Sequence, residues 1–163
     1  GQDAPNIVNA IIEIPKGGRV KFEYDVNLQI FKLDRVLHSA VHYPAAYGFI
    51  PQTLYGDGDP LDCLILVSEP LFTGCLLRMR PIAVLKTRDD KGSDDKVLGV
   101  AIDDPRYIDV HELKDLPKHV PLEIENFFMN YKQLEKKKVE SFGWGSREEA
   151  AAAIKEGIKG FKS

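Results

Sequence analysis

The chain has 163 residues, 44% of them hydrophobic and 29% charged, and its formal net charge is −3. This length predicts a single domain over residues 1–163 with a substantial core. The slightly negative charge gives no general reason to expect nucleic acid or an anionic membrane as a partner. The apolar runs are also too short to span a bilayer.

Short β-strands are predicted over most of the first hundred residues. Apolar or alternating segments are separated by turn-forming sequences such as PKGG (15–18) and SEPLFTG (68–74), a pattern typical of strands. The predicted strands are Ile7–Ile14, Arg19–Asp25, Gln29–Leu33, Leu61–Val67, Cys75–Leu85 and Lys96–Ile102.

Two helices are predicted after the strands. The first follows Pro121 and has apolar residues at helical spacing. These residues are Ile124, Phe127, Phe128, Tyr131 and Leu134. The second begins at Ser146, with Glu149 three residues later in a capping-box arrangement. Six or more strands followed by two helices predict a mainly β protein of the α+β class, built as a closed or partly closed antiparallel barrel with helices on one side.

Three aspartates lie at the start of the predicted strand Leu61–Val67. The segment GDGDPLDCLILV (56–67) contains Asp57, Asp59 and Asp62, which repel one another. An ordinary turn is one interpretation, since Gly, Pro and Asp are common where chains reverse. A calcium loop of the EF-hand type is excluded, because its sixth position lacks Gly and its twelfth lacks Glu. The remaining interpretation is a hard-cation site in which Asp57 and Asp62 share Mg²⁺.

A second acidic cluster lies at the start of another predicted strand. The loop RDDKGSDDK (88–96) contains Asp89, Asp90, Asp94 and Asp95. Alone, this loop is typical of a solvated hairpin tip. If both acidic loops converge at one end of a small barrel, they supply the bridging carboxylates that two-metal sites for phosphate hydrolysis require.

The two acidic loops belong to a longer series of motifs. These are EIP (13–15), KFEYD (21–25), LDRV (33–36), HYPAAYGFIP (42–51), DGDPLD (57–62), DDKGSDDK (89–96) and FFMNYKQLE (127–135). In order and spacing the chain resembles the soluble inorganic pyrophosphatases of family I, from about Ala4 to Trp144. The resemblance implies an OB-like, twisted five-stranded β-barrel with flanking helices near the C-terminus. It also implies hydrolysis of pyrophosphate to two phosphates with two to four Mg²⁺ ions per site.

The resemblance also implies a role for each matched residue. Asp57, Asp62 and Asp94 correspond to ligands of the two tightest metals, with Asp62 bridging them. Asp89 joins Asp94 on the ions that arrive with substrate, and Asp59 corresponds to the base that accepts a proton from the attacking, metal-bridged water. The implied phosphate contacts are Lys21, Arg35, Tyr47, Lys96, Tyr131 and Lys132, and the implied cavity-lining residues are Glu13, Glu23 and Tyr43. Whether Asp90 or Asp95 also contacts metal stays open.

The charge of the implied site separates the candidate functions. Its seven acidic side chains outnumber its four basic ones, so like charges repel pyrophosphate by about 1–4 kcal/mol per pair until divalent cations bind. The alternative function is an OB-like module that binds single-stranded nucleic acid without catalysis. That module needs a basic groove with stacking aromatics, whereas the face expected to carry Tyr43, Tyr47 and Tyr55 is acidic. A non-enzymatic calcium-binding protein needs no such set of lysines and arginine.

Compartment is predicted from the cysteines, and assembly from the resemblance to the family. Cys63 and Cys75 form no C-x-x-C pair, so we interpret both as reduced thiols and expect a cytoplasmic protein. By similarity to the shorter members of the family, we expect a homo-oligomer, with a hexamer favoured. The expected partner is the small-molecule substrate pyrophosphate, with no nucleic acid and no membrane.

Overall fold

A computed structural model describes residues 1–162 of the chain. Its strands are β1 (Val8–Ile14), β2 (Val20–Asp25), β3 (Ile30–Val36), β4 (Ala46–Phe49), β5 (Asp62–Leu66), β6 (Leu76–Asp89), β7 (Gly92–Ser93), β8 (Lys96–Ala101) and β9 (Glu140–Gly145). Its α-helices are α1 (His119–Asn130) and α2 (Arg147–Lys162), and short 3₁₀ turns cover Pro105–Tyr107, Leu113–Asp115 and Gln133–Glu135.

Five of these strands close into a ring. Hydrogen bonding runs in the order β1, β4, β5, β8 and β6, and β6 pairs again with β1. At Gly48 in β4 a side chain is excluded, because a Cβ there would lie 1.9 Å from the carbonyl oxygen of Ile11 in β1. The prediction of a mainly β, five-stranded barrel with helices near the C-terminus is confirmed.

The prediction of an antiparallel barrel is wrong at one pair. Strands β5 and β8 run parallel, with Asp62 opposite Lys96, while the other four pairs of the ring are antiparallel. The reason is geometric: strand direction cannot alternate all the way around a ring with an odd number of members. One parallel pair is therefore unavoidable, and it brings the starts of two strands to the same end of the barrel.

The two helices pack on different apolar clusters, which corrects the prediction that they share one side. Ile124, Phe127 and Phe128 of α1 join the cluster that contains Leu64, whereas Ala150, Ala153 and Ile154 of α2 join the cluster that contains Cys63. Successive residues of a strand point to opposite faces, so Leu64 and Cys63 of β5 face the two different helices.

Element boundaries differ from the predictions where local pattern was weak. Helix α1 ends at Asn130, so Tyr131 follows it as a buried cap residue and Leu134 lies in a 3₁₀ turn with 66% of its surface exposed. The predicted capping box at Ser146 is present: the Ser146 N–H donates to Glu149 Oε2 at 2.7 Å, and the Glu149 N–H donates to Ser146 Oγ at 3.3 Å. Strands β4, β7 and β9 were not predicted.

Strands β2 and β3 form a separate two-stranded hairpin beside the ring. Their register places Lys21 directly opposite Arg35, although the two residues are far apart along the chain. The Tyr24 N–H donates to Glu13 Oε1 at 2.9 Å, which joins the hairpin to the end of β1. The hairpin therefore presents basic side chains next to the ring.

Among the described residues, no helix is long and apolar enough to cross a membrane.

Candidate active site

An acidic cavity of about 170 Å³ opens where the start of β5, the β6–β8 connection, the β2–β3 hairpin and the end of α1 meet. It is lined by Glu13, Lys21, Glu23, Tyr24, Val26, Tyr47, Phe49, Asp57, Asp59, Pro60, Asp62, Asp89, Lys91, Asp94, Tyr131 and Lys132. All seven acids that the resemblance implied lie on this lining, together with three lysines. Arg35, Tyr43 and Lys96, which the resemblance also implied at the site, do not line the cavity, so the implied cavity-lining position of Tyr43 is not found.

The first acidic loop is a tight turn that begins at Tyr55. The Tyr55 N–H donates to the Asp59 carbonyl at 2.9 Å, and the Gly58 N–H donates to the Tyr55 carbonyl at 2.9 Å. Gly58 has φ +86°, a conformation that a side chain would strain. The Asp59 N–H donates to Asp57 Oδ1 at 3.1 Å. The turn thus directs both carboxylates into the cavity just before β5 begins.

The second acidic loop is held against β6 by Thr87. The Asp94 N–H donates to the Thr87 carbonyl at 2.9 Å, and the Thr87 hydroxyl donates back to the Asp94 carbonyl. This two-way contact fixes the backbone of Asp94, so that its carboxylate faces Lys96 and the cavity. Asp89, at the end of β6, lies 3.3 Å from Lys132 Nζ.

Lys96 forms ion pairs with one carboxylate from each acidic loop, Asp62 and Asp94. Its side chain is buried, and Nζ lies 2.7 Å from Asp94 Oδ1 and 3.6 Å from Asp62 Oδ2. Burial by itself would lower the pKa of Lys96, but the carboxylates of Asp62 and Asp94 raise that pKa above its usual value. The lysine is therefore held charged beneath the acidic wall.

Several carboxylates of the cavity are difficult to ionise. Burial raises the pKa of Asp62 to about 7, even though its carboxylate accepts a hydrogen bond from the Tyr47 hydroxyl. Burial likewise raises the pKa of Glu13 to about 7 and that of Asp57 above its usual value. Because burial is the largest cause of these shifts, the ionised carboxylates lack sufficient stabilising partners within the protein, and a bound cation would supply one.

Lys21 and Arg35 are held by acids that the sequence did not single out. Lys21 Nζ lies 3.0 Å from Asp34 Oδ2, and the same carboxylate contacts Arg35. Arg35 Nε lies 3.0 Å from Glu135 Oε1. In sequence, Asp34 and Glu135 resemble ordinary surface acids, and only the pairing of β2 with β3 and the turn after α1 bring them to these positions.

The tyrosines form one packed group beside the acids. Tyr43 is buried, with its ring centroid 5.3 Å from that of Tyr47 and 6.3 Å from that of Tyr131. Lys132 Nζ lies 5.4 Å from the ring centroid of Tyr131. Tyr47 and Tyr131 therefore reach the cavity, while Tyr43 supports them from behind.

Neither of the two acids left open by the sequence lies on the cavity lining. Asp90 is exposed at the tip of the second acidic loop. Asp95 Oδ1 accepts a hydrogen bond from the Thr87 N–H at 3.1 Å, and Oδ2 accepts one from the Tyr55 hydroxyl at 3.0 Å. Both oxygens of Asp95 are thus engaged by the protein.

The chemistry of the cavity fits a hard divalent cation. Its donors are carboxylate oxygens, which Mg²⁺ prefers. Within residues 1–162, no group of three or more Asp, Glu, His or Cys side chains is arranged to hold a metal ion by itself. An open arrangement suits Mg²⁺, because this ion usually keeps several waters and takes one or two carboxylates plus substrate phosphates.

Comparison with known proteins assigns the family. The family model for inorganic pyrophosphatase matches residues 10–162. An inorganic pyrophosphatase from Haloferax volcanii is 48% identical over 155 residues, covering 94% of this chain and 88% of that protein. The one from Nostoc sp. is 44% identical and covers 99% of this chain and 95% of its own length. The crystal structure of inorganic pyrophosphatase from Thermus thermophilus matches with a TM-score of 0.97 at 42% identity, over 100% of this chain and 95% of that one. The chain belongs to the inorganic pyrophosphatase family.

Proposed function

We propose that this protein hydrolyses inorganic pyrophosphate to two phosphates with Mg²⁺ as cofactor, at two to four ions per site. The observation that carries the proposal is the convergence of seven carboxylates and three lysines on one cavity of about 170 Å³. The acids attract divalent cations, and the lysines attract the anion that those cations accompany. A binding site for an uncharged ligand would need neither set.

The acidic wall would hold the metal. Asp57, Asp62 and Asp94 are the proposed ligands of the tightest ions, and Asp89, now paired with Lys132, is the proposed additional ligand when substrate arrives. Bound Mg²⁺ would offset the negative charge, polarise the phosphorus and lower the pKa of the attacking water. Tyr47 orients Asp62 by donating its hydroxyl hydrogen to that carboxylate.

Asp59 is the proposed general base. It lies on the cavity lining beside Asp57, and its side chain is more exposed than those of Asp57 and Asp62. An exposed carboxylate keeps lone pairs free, and Asp59 is not a proposed metal ligand, so its carboxylate is available to accept a proton from the attacking water. The backbone contact between the Asp59 N–H and Asp57 Oδ1 keeps the two carboxylates in fixed relation.

The basic and phenolic groups would hold the phosphate oxygens. Lys21, Lys132 and Tyr131 already line the cavity. Arg35 lies behind it, held by Asp34 and Glu135, and Lys96 lies beneath Asp62 and Asp94. Positive charge placed one layer behind the metal ligands favours an anionic substrate over a neutral one. Glu13 and Glu23 complete the acidic wall next to the hairpin.

Phosphate release from pyrophosphate, measured with millimolar Mg²⁺ and with excess chelator, tests the proposal. We expect turnover only with Mg²⁺, loss of that turnover in Asp59→Asn, and unchanged turnover in the matched variant Asp90→Asn, which removes an exposed aspartate outside the cavity. Absence of phosphate release under all conditions, or a mobility shift with single-stranded nucleic acid in place of hydrolysis, would contradict it. The nucleic-acid alternative has no support, since the cavity is acidic.

We also propose a homo-oligomeric assembly, with a hexamer favoured, and a cytoplasmic location. A solution mass measured by light scattering tests the first. A value near the 18.3 kDa of one chain at micromolar concentration would exclude the oligomer.

A further inference from the structure

One side-chain contact joins the two acidic loops directly. The Tyr55 hydroxyl donates to Asp95 Oδ2 at 3.0 Å, across 40 positions of sequence. Tyr55 is the first residue of the turn that carries Asp57 and Asp59, and its backbone closes that turn through the Asp59 carbonyl. Its ring packs against the buried cluster beneath α2. The Tyr55 ring is therefore held in place by packing, while its hydroxyl contacts the second acidic loop at Asp95.

Asp95 is also held in place by the protein, through a hydrogen bond from Thr87, next to the second acidic loop. Its Oδ1 accepts the Thr87 N–H, and Thr87 exchanges two further contacts with the backbone of Asp94. Asp95 therefore belongs to the same small network that fixes Asp94. Through these contacts, a displacement of Tyr55 would change the position of Asp57 and Asp59 relative to Asp94.

We propose that Tyr55 and Asp95 are positioning residues that hold the Asp57–Asp59 turn at a fixed separation from Asp94. Neither side chain reaches the cavity lining, and both act through the carboxylates that do. This inference rests on the proposed function. Divalent ions shared between two loops require their separation to be set before binding, because coordination distances tolerate little error.

The decisive variant is Tyr55→Phe, which removes one hydroxyl and keeps the ring in its packing. We expect Mg²⁺ affinity, measured by calorimetry without substrate, to fall by roughly tenfold, the lower range seen when groups that orient metal ligands are lost. The Mg²⁺ concentration for half-maximal rate should rise by the same factor. At saturating Mg²⁺, kcat should return close to the wild-type value. Tyr107→Phe is the matched control, because Tyr107 is also half-buried and lies outside the cavity lining.

Substitutions of Asp95 separate positioning from direct coordination. Asparagine keeps an oxygen for the Thr87 N–H and a second polar atom for Tyr55, so Asp95→Asn should retain most of the Mg²⁺ affinity that Asp95→Ala loses. Adding Tyr55→Phe to Asp95→Ala should cause no further loss, since both remove the same contact. Asp90→Asn controls for the change in net charge on the same loop.

The positioning role of Tyr55 and Asp95 and the proposed hydrolysis of pyrophosphate are contradicted by different results. If wild-type protein hydrolyses pyrophosphate while Tyr55→Phe binds Mg²⁺ as tightly as wild type, the positioning role is wrong and the proposed function stands. If Asp95→Asn loses as much affinity as Asp95→Ala and Tyr55→Phe loses none, Asp95 is a ligand and the positioning role is again wrong. If wild-type protein binds Mg²⁺ but releases no phosphate, the proposed function fails, and the calorimetric series still decides the positioning role.

Discussion

Two aspartates at the ends of barrel strands have opposite environments. Asp62 begins β5 at the cavity, where burial raises its pKa to about 7. Asp104 follows β8, where the side chain and backbone N–H of Ser68, together with Arg106, lower its pKa to about 2. Asp104 Oδ2 accepts the Ser68 N–H at 2.7 Å and Oδ1 accepts the Arg106 N–H at 3.1 Å.

The difference shows how to distinguish a structural carboxylate from one available to a ligand. At Asp104 each oxygen has a donor from the protein, so the charge is stabilised within the fold. At Asp62 the nearby donors are the Tyr47 hydroxyl and a lysine 3.6 Å away, and these do not offset the cost of burial. A buried carboxylate with few hydrogen-bond donors is costly to ionise, and a bound cation would lower that cost.

Removal of metal should have the largest effect. With excess chelator we expect turnover to be abolished and pyrophosphate binding to weaken strongly, because seven carboxylates then face an anionic substrate. Calorimetry with and without Mg²⁺ measures the binding change directly. Tight pyrophosphate binding in the presence of chelator would show that protein groups already neutralise the charge of the cavity acids. Asp62 would then not differ from Asp104 in the way described above.

Asp59→Asn should lower kcat by roughly 10²–10⁴, the usual cost of a missing general base. Because Asp59 is not a proposed ligand, Mg²⁺ affinity should remain close to wild type and excess Mg²⁺ should not restore the rate. Hydroxide replaces an absent base, so the residual rate should rise with pH. Rescue of Asp59→Asn by Mg²⁺ would instead place Asp59 among the ligands, and a metal titration with a pH–rate profile distinguishes the two roles.

Asp62→Asn should lose both rate and Mg²⁺ affinity, each by about tenfold or more, with part of the rate recovered at high Mg²⁺. In metal-free protein the same change should raise the melting temperature at pH 8. The folded-state pKa of about 7 lies above the unfolded value, so ionisation of Asp62 opposes folding increasingly as pH rises from about 4 to about 7. A lower melting temperature for metal-free Asp62→Asn at pH 8 would show that its contact with Lys96 outweighs the cost of burial.

Asp104→Asn should have the smallest effect on function and the opposite effect on stability. The folded-state pKa of about 2 lies below the unfolded value, so the ionised group stabilises the fold above about pH 4, and this contribution is lost as pH falls toward 2. We expect a lower melting temperature at pH 7, a difference from wild type that shrinks in acid, and unchanged kcat. Reduced Mg²⁺ affinity in this variant would mean that the connection after β8 also supports the cavity.

The strands were largely predictable because their signals are local, whereas the acids of the cavity were identified from the two acidic loops together with the resemblance to the family. Apolar or alternating segments bounded by turns predicted β1, β2, β3, β5, β6 and β8, with errors at their ends. Strand β4 was not predicted because it has only four residues, AYGF, and one of them is a glycine. Strand β9 was not predicted because its sequence, ESFGWG, contains two glycines and no continuous apolar run. The parallel β5–β8 pair follows from ring closure, which no single segment encodes.

The sequence by itself determined which chemical groups are present and the local turns that hold them, such as the Gly58 turn with Asp57 and Asp59. Motif order was enough to indicate the family and its acidic site. Only the tertiary structure decided that Lys96 lies between Asp62 and Asp94, and that both oxygens of Asp95 are used by Thr87 and Tyr55. The physical reason is that burial and hydrogen bonding depend on contacts between distant segments. Those contacts decide whether the oxygens of a carboxylate are available to a cation or already accept hydrogen bonds from the protein.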